Sequence, residues 1–251
     1  MIKFLATVAM AAMCCSGIAG ATPAPFTVDG NVALQSFVSL TDAHVRQTLD
    51  SITTFAGTAD ARSGDWNRIE APLRAATAGN VPATNFYGLP SGKYWVVGKG
   101  LQPAPINDRP YFKMVFSGKN AVGDLVLGRS TGKPGAIVAV PVRDAAGKVV
   151  GLVGAAIDLA ALTTLLQTEL GNGPGTVFWA VDARGITALH SDPNNILQDA
   201  GKMSPELHRA ITHMMTTDSG MEHYSFKGKS RTVLYRHSTL TGWTFGFGVV
   251  H

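Results

Sequence analysis

Apolar residues recur at Leu34, Val38, Val45, Leu49, Ile52 and Ala56, in steps of three, four and seven. Such steps return to one face of a helix with about 3.6 residues per turn, so the spacing predicts one long amphipathic helix. Gly57 and Gly64 bracket a break, after which residues 65–78 read as a shorter helix with Trp66, Ile69 and Leu73 on one face. The period then changes. Between 85 and 158 the apolar positions fall into short β-type runs at 94–97, 124–127, 136–142 and 149–157, separated by turn residues. Asp144-Ala145-Ala146-Gly147 joins the last two runs as a hairpin, because Gly supplies a positive φ.

Helical spacing returns at Leu159, Leu162, Leu165, Leu166 and Leu170, and Gly171-Asn172-Gly173-Pro174-Gly175 stops it. The last third repeats the style of the middle, with strands at 177–182 and 186–190 around an Ala183-Arg184-Gly185 turn, a helix at 205–215, and strands near 222–226, 232–237 and 243–250. Strands and helices do not alternate as βαβ units, which argues against a doubly wound parallel sheet. The expected class is α+β: a long N-terminal helix, then two modules, each an antiparallel sheet flanked by helices.

The 251 residues are 45% hydrophobic and 15% charged, enough to bury a core in one large or two small domains. The formal charge is +4, but the 21 basic residues are scattered and never form a run of five, so the clustering that nucleic-acid binding needs is missing. Residues 1–21 hold one basic residue, Lys3, an apolar stretch, and a small-residue end at Ala19-Gly20-Ala21. That is the pattern of a secretory leader with Thr22 as the first mature residue, and the chain is expected in the periplasm or secreted. Two alternatives remain at this point: an uncleaved membrane anchor, although the apolar core is shorter than the ~20 residues of a spanning helix, and lipidation at Cys14. Both cysteines, Cys14 and Cys15, lie in the leader, so a cleaved chain has no disulfide, thiol nucleophile or thiolate-bound metal.

Catalytic patterns are missing too. Ser130, Ser191 and Ser204 lack a Gly-x-Ser-x-Gly elbow, and no phosphate-binding glycine loop occurs. His208 and His213 are five apart, not the four that stack two imidazoles on one helix face. The expectation is a non-enzyme without cofactor or metal.

One stretch carries more information than the rest: Arg109-Pro110-Tyr111-Phe112, Gly132-Lys133-Pro134, Val140-Pro141-Val142, Asp144 with Gly147-Lys148-Val149-Val150-Gly151, and Ile157-Asp158-Leu159. This order resembles the ligand-binding module of double Cache sensor domains, and the likeness continues through Phe178 to Asp182, Gly185, His190-Ser191-Asp192, Lys227-Gly228-Lys229 and Gly242-Trp243-Thr244-Phe245. The resemblance covers residues 32–250 and implies two PAS-like modules strung along the long helix, with residues 22–56 as spacer and helix, 57–160 as a membrane-distal, ligand-binding module and 161–251 as a proximal one.

It further implies a small charged metabolite, whether carboxylate, amine or amino acid, held in the distal module. Arg109 falls on the family's carboxylate-contacting Arg, followed by aromatics Tyr111 and Phe112, and Asp158 on the acid that meets an ammonium. Ala104 stands where a Tyr is frequent, and Tyr111 where Trp is common, which leaves the ligand open among those classes. Chemically, Arg109 is either a clamp offering paired donors to a carboxylate or a surface Arg paired with Asp108. Asp158 ends an apolar run, as a partner for a ligand cation or as the N-cap of the next helix. Tyr94, Trp95, Tyr111 and Phe112 either line a pocket or belong to the core; Tyr111 is assigned to the pocket and Phe112 to the core, because neighbours in a strand or turn face opposite ways. Since the sequence stops at His251, the expected partner for output is a membrane kinase or chemoreceptor, with a homodimer through the N-terminal helix a further expectation. The alternative is a PAS-like dimerisation scaffold without a ligand.

Overall fold

The computed structural model describes residues 29–171, 173 and 175–251; the leader expected at 1–21 lies outside the described residues. The long helix α1 spans Gly30–Ala56 and is capped by Asp29, whose carboxylate accepts from the Asn31 N–H at 2.7 Å. Its buried stripe includes Leu34, Val38, Val45, Ile52 and Phe55, and also Thr41 and Thr48, both fully buried. The two threonines keep this face dry by donating their hydroxyls back to Phe37 O at 2.8 Å and His44 O at 3.1 Å, four residues earlier. Two short helices follow, α2 at Ala59–Ser63 and α3 at Trp66–Ala76, the latter capped by Asp65 and burying Ile69 and Leu73.

Six strands make the first sheet: β1 (Ala83–Gly88), β2 (Tyr94–Val96), β3 (Gly100–Leu101), β4 (Ala121–Leu127), β5 (Pro134–Arg143) and β6 (Val149–Asp158), in the order β3-β2-β1-β6-β5-β4 and antiparallel throughout. Helix α4 (Pro110–Phe116) precedes β4, and α5 (Leu159–Leu170) leads into the second sheet. That sheet has the order β8-β7-β11-β10-β9, from β7 (Thr176–Val181), β8 (Thr187–His190), β9 (Ser219–Phe226), β10 (Lys229–His237) and β11 (Thr244–Val250), with α6 (Pro205–Thr216) between β8 and β9.

The first sheet is covered on both faces at β5 and β6, which is why these strands read as nearly continuous apolar runs. Val138, Val140, Val153, Ala155 and Ile157 join the core around α1, whereas Ile137, Ala139 and Leu152 join the core beneath α4. The second sheet has cores on its two faces at its centre. Phe178 and Phe245 meet Phe37 of α1 edge-on, with centroids 4.9 and 5.0 Å away, while Val177, Trp179 and Val181 turn to α6. The architecture is the expected α+β one, a long N-terminal helix followed by two antiparallel sheets with flanking helices.

The two sheets also touch directly. In β4 the register slips between Val122 and Asp124, so Gly123 bulges with φ +91°, and its carbonyl accepts from the Trp243 indole N–H at 2.9 Å. A Cβ at Gly123 would lie 2.5 Å from Thr241 O, so only glycine admits this approach. On the other side, Ser238 donates to Asp42 of α1 at 2.7 Å, which partly offsets the burial that raises the pKa of that carboxyl.

The second module carries a pH liability of known sign. Desolvation holds the His190 imidazole down at about 4, against its ordinary 6.5, with Asp192 opposing and Arg231 and Lys227 assisting. Below about pH 6.5 the unfolded chain binds a proton that the folded chain refuses until about pH 4, so stability is full above this window and is lost as pH falls through it. At about 1.4 kcal/mol per pH unit the loss is roughly 3 kcal/mol. Urea unfolding between pH 7 and 4 should show this slope in the wild type and a flatter one in His190→Gln; equal slopes would remove His190 as the cause.

Candidate ligand-binding pocket

On the α4 face of the first sheet a narrow pocket of about 40 Å³ opens between the strands, the start of α4 and the loop that joins β4 to β5. Strand alternation decides which side chains reach it. Thr84 and Phe86 of β1, Tyr94 and Val96 of β2, Ile137 of β5 and Ala156 of β6 point into it, as every second residue of each strand must. Arg109 and Tyr111 enter from the start of α4, and Arg129, Ser130 and Thr131 from the loop.

Arg109 precedes Pro110, which holds it extended at φ −78°, ψ 138°, and its side chain takes no part in capping α4. The guanidinium donates to Leu127 O at 3.3 Å, and no carboxylate pairs with it among the described residues. Asp108 is not its partner: that carboxylate is gripped by Arg129 through two bonds, Nη2 to Oδ2 at 2.7 Å and Nη1 to Oδ1 at 3.2 Å. Arg129 also donates to Pro105 O. The pairing holds Asp108 below the usual carboxylate range and raises Arg129. One guanidinium is thus neutralised and the other stays available at the same opening.

The aromatic wall is Phe86, met edge-on by Tyr94 and at a tilt by Tyr111, each with its centroid 6.2 Å away. Burial pushes the Tyr111 hydroxyl above its usual range, with Arg109 opposing. Tyr94 is raised by burial as well, with Arg129, Arg109 and Ser130 drawing it back. Both phenols therefore stay protonated donors. The Phe86 ring can lie flat because Gly154 faces it in register across β6, where a Cβ would come within 2.3 Å of the ring.

Of the six residues singled out by sequence, the structure brings Arg109, Tyr111 and Tyr94 together and leaves Phe112, Trp95 and Asp158 outside the lining. Phe112 sits on Phe116, centroids 4.4 Å apart, and seats α4 on the sheet; it and Tyr111 diverge as neighbours on a helix, not on the strand or turn expected. Trp95 alternates to the opposite face of β2, where it stacks on Trp66 at 6.3 Å. Asp158 follows Ala156 by two residues but has both oxygens engaged. Oδ1 caps α5 by accepting from the Ala160 and Ala161 N–H groups, each at 3.1 Å, and Oδ2 pairs with Lys133 at 3.2 Å. Among the lining residues that sequence reasoning missed are Phe86 and the Gly128-Arg129-Ser130-Thr131 segment. Glycines at 128 and 132 mark that segment as a turn, but it is held over the pocket by long-range bonds, the Asp108–Arg129 pair and Lys99 to Ser130 O among them.

The arrangement suits a small anion: donors converge, the walls are apolar, and the nearby acids are already paired. A family model described as the Cache domain matches residues 30–250. Among curated proteins, none matches the chain. Solved structures with a similar fold include the ligand-binding domain of the Pseudomonas fluorescens chemoreceptor CtaA in complex with L-alanine, 18% identical at a TM-score of 0.70, covering 88% of this chain and 95% of that one. The ligand-binding domain of the Pseudomonas aeruginosa amino acid chemoreceptor PctB with L-Gln is 17% identical at TM-score 0.70, covering 88% and 89%. That of Campylobacter jejuni Tlp3 with L-norvaline is 13% identical at TM-score 0.64, also covering 88% and 89%.

Proposed function

The chain belongs to the double Cache family, and from that premise we propose that it is an extracytoplasmic small-molecule sensor or binding protein whose first module takes up a small carboxylate-bearing metabolite, amino acids included. The observation that carries this reading is Arg109, a guanidinium without a carboxylate partner among the described residues, in a pocket walled by Phe86, Tyr94 and Tyr111. The carboxylate would lie against Arg109 and the Tyr111 hydroxyl, and the apolar part against the Phe86 ring. The three similar structures named above each hold an α-amino acid, hence a carboxylate, which supports the choice. With Asp158 tied to Lys133 and to the α5 cap, an acid without an ammonium group fits as well as an amino acid.

In this reading the ligand favours one of two arrangements of the first sheet against α1, and a membrane kinase or chemoreceptor reads the difference. Self-association of the chain through α1 is compatible with it. Among the described residues no helix is long and apolar enough to cross a membrane, so output runs through such a partner or through residues outside those described.

A thermal-shift screen of organic acids, amino acids, amines and purines against residues 22–251 tests the proposal. A ligand at a hundred times its Kd adds about 2.7 kcal/mol, a rise in Tm of roughly 5–10 °C for a chain of this size. The shift should vanish in Arg109→Ala and persist in Arg184→Ala, whose guanidinium is paired with Asp182. A hit whose shift survives both Arg109→Ala and Tyr111→Phe would overturn the assignment.

A further inference from the structure

A second cavity, of about 30 Å³, lies in the other module between the second sheet and α6. Its walls are mainly apolar, with Leu207 and Ile211 from α6 and Phe226 from β9. Three of the polar groups that reach it can donate to a ligand. Trp179, 4% exposed, turns its indole here, and Nε1 is buried with no hydrogen-bond partner among the described residues. A buried donor left unmet is a standing cost to the fold, and such groups in native proteins usually find a partner.

Tyr224 is equally buried, and burial raises its hydroxyl; the nearby Trp179 indole and Arg231 oppose this, although the indole and the hydroxyl do not reach hydrogen-bond geometry. Arg231 is the one charged side chain among the lining residues. Its guanidinium lies over the Phe226 ring, 4.9 Å from the centroid, and Nη1 donates to Phe226 O at 2.8 Å. No carboxylate pairs with Arg231 among the described residues. His190 adds no charge, since its ring is kept neutral by burial and its Nδ1 accepts from the Asp192 N–H at 2.8 Å.

The cavity thus presents an indole N–H, a phenol and a guanidinium beside the uncharged Thr187, His190 and Asn195, and no acid, around a space a few heavy atoms wide. We propose that it is a second ligand site, taking a small monocarboxylate whose oxygens meet Arg231, Tyr224 and the Trp179 N–H while its short chain rests against Ile211 and Phe226. This site is independent of the Arg109 pocket and stands or falls separately.

Saturation-transfer NMR with acetate and propionate on residues 22–251 tests it. Transfer is expected in the wild type and in Arg109→Ala, with affinity at least tenfold weaker in Arg231→Gln and clearly weaker in Tyr224→Phe. The last variant removes one oxygen from a ring of unchanged shape, so an unaltered melting temperature separates binding from folding. Partial loss in both Arg109→Ala and Arg231→Gln, with full loss in the double variant, would place one carboxylate in each module and support the proposal. Two results overturn it: no transfer in the wild type, or transfer that Arg231→Gln and Tyr224→Phe leave intact. If Arg109→Ala alone abolishes transfer, the second site falls while the first is upheld.

Discussion

Trp243→Ala is expected to lower stability by about 3–5 kcal/mol, the cost of emptying a fully buried Trp site, with more added for the orphaned Gly123 carbonyl. Trp243 is 1% exposed, packs on Phe245 and supplies the one indole bond that ties the second sheet to the bulge of β4. Since domains carry only about 5–15 kcal/mol in total, the variant should melt about 10 °C lower or more. Trp243→Phe keeps most of the ring and loses the N–H, so its cost should stay near 1–3 kcal/mol. Thermal unfolding of the three chains decides the matter: a Trp243→Ala chain that melts with the wild type would mean that the junction contributes nothing. Far-UV and near-UV circular dichroism on the same samples would show whether the two modules unfold together or separately.

Gly154→Ala should weaken ligand uptake in the first pocket at least tenfold with a smaller effect on folding, about 1–3 kcal/mol for an overpacked site. The new Cβ would lie 2.3 Å from Phe86 Cζ and 2.7 Å from Cε1 and Cε2, so the ring must leave β6. It is hemmed in by Tyr94 and Tyr111, and the space open to it is the pocket itself, so a displaced ring takes the room that a ligand needs. Titration calorimetry with any hit from the thermal-shift screen measures this. Unchanged affinity in a folded Gly154→Ala chain would remove Phe86 as the pocket wall.

What was legible in the sequence follows from which interactions are local. The period of α1, the apolar runs of β5 and β6 and the Gly147 turn are set by residues close in the chain, and they appear where the spacing placed them. Thr41 and Thr48 were invisible as core because a buried Thr is apolar only once its hydroxyl has bonded back to the preceding turn. Helix α4 is seven residues long, and its Asp108-Arg109-Pro110 start reads equally as a turn. The family pattern points to Arg109 and Tyr111, which line the pocket, yet it could not show that Asp108 belongs to Arg129, 21 residues away, or that Lys133 occupies Asp158. Trp95 shows the limit of composition: an aromatic beside Tyr94 looks like pocket until the pleat turns it to the other face.

Helix α1 runs unbroken for 27 residues, about 40 Å at ~1.5 Å per residue. Its N-terminal half holds Phe37 against the second sheet, and its buried residues from Val45 to Phe55 pack in the same core as Val138, Val140 and Val153 of the first. A rod gripped at two separated points has mechanical leverage. A tilt of about 3° at the end beside the first sheet moves the far end by about 2 Å over such a length. That displacement is larger than the slack a close-packed interior permits, so the second sheet must follow the rod or release it.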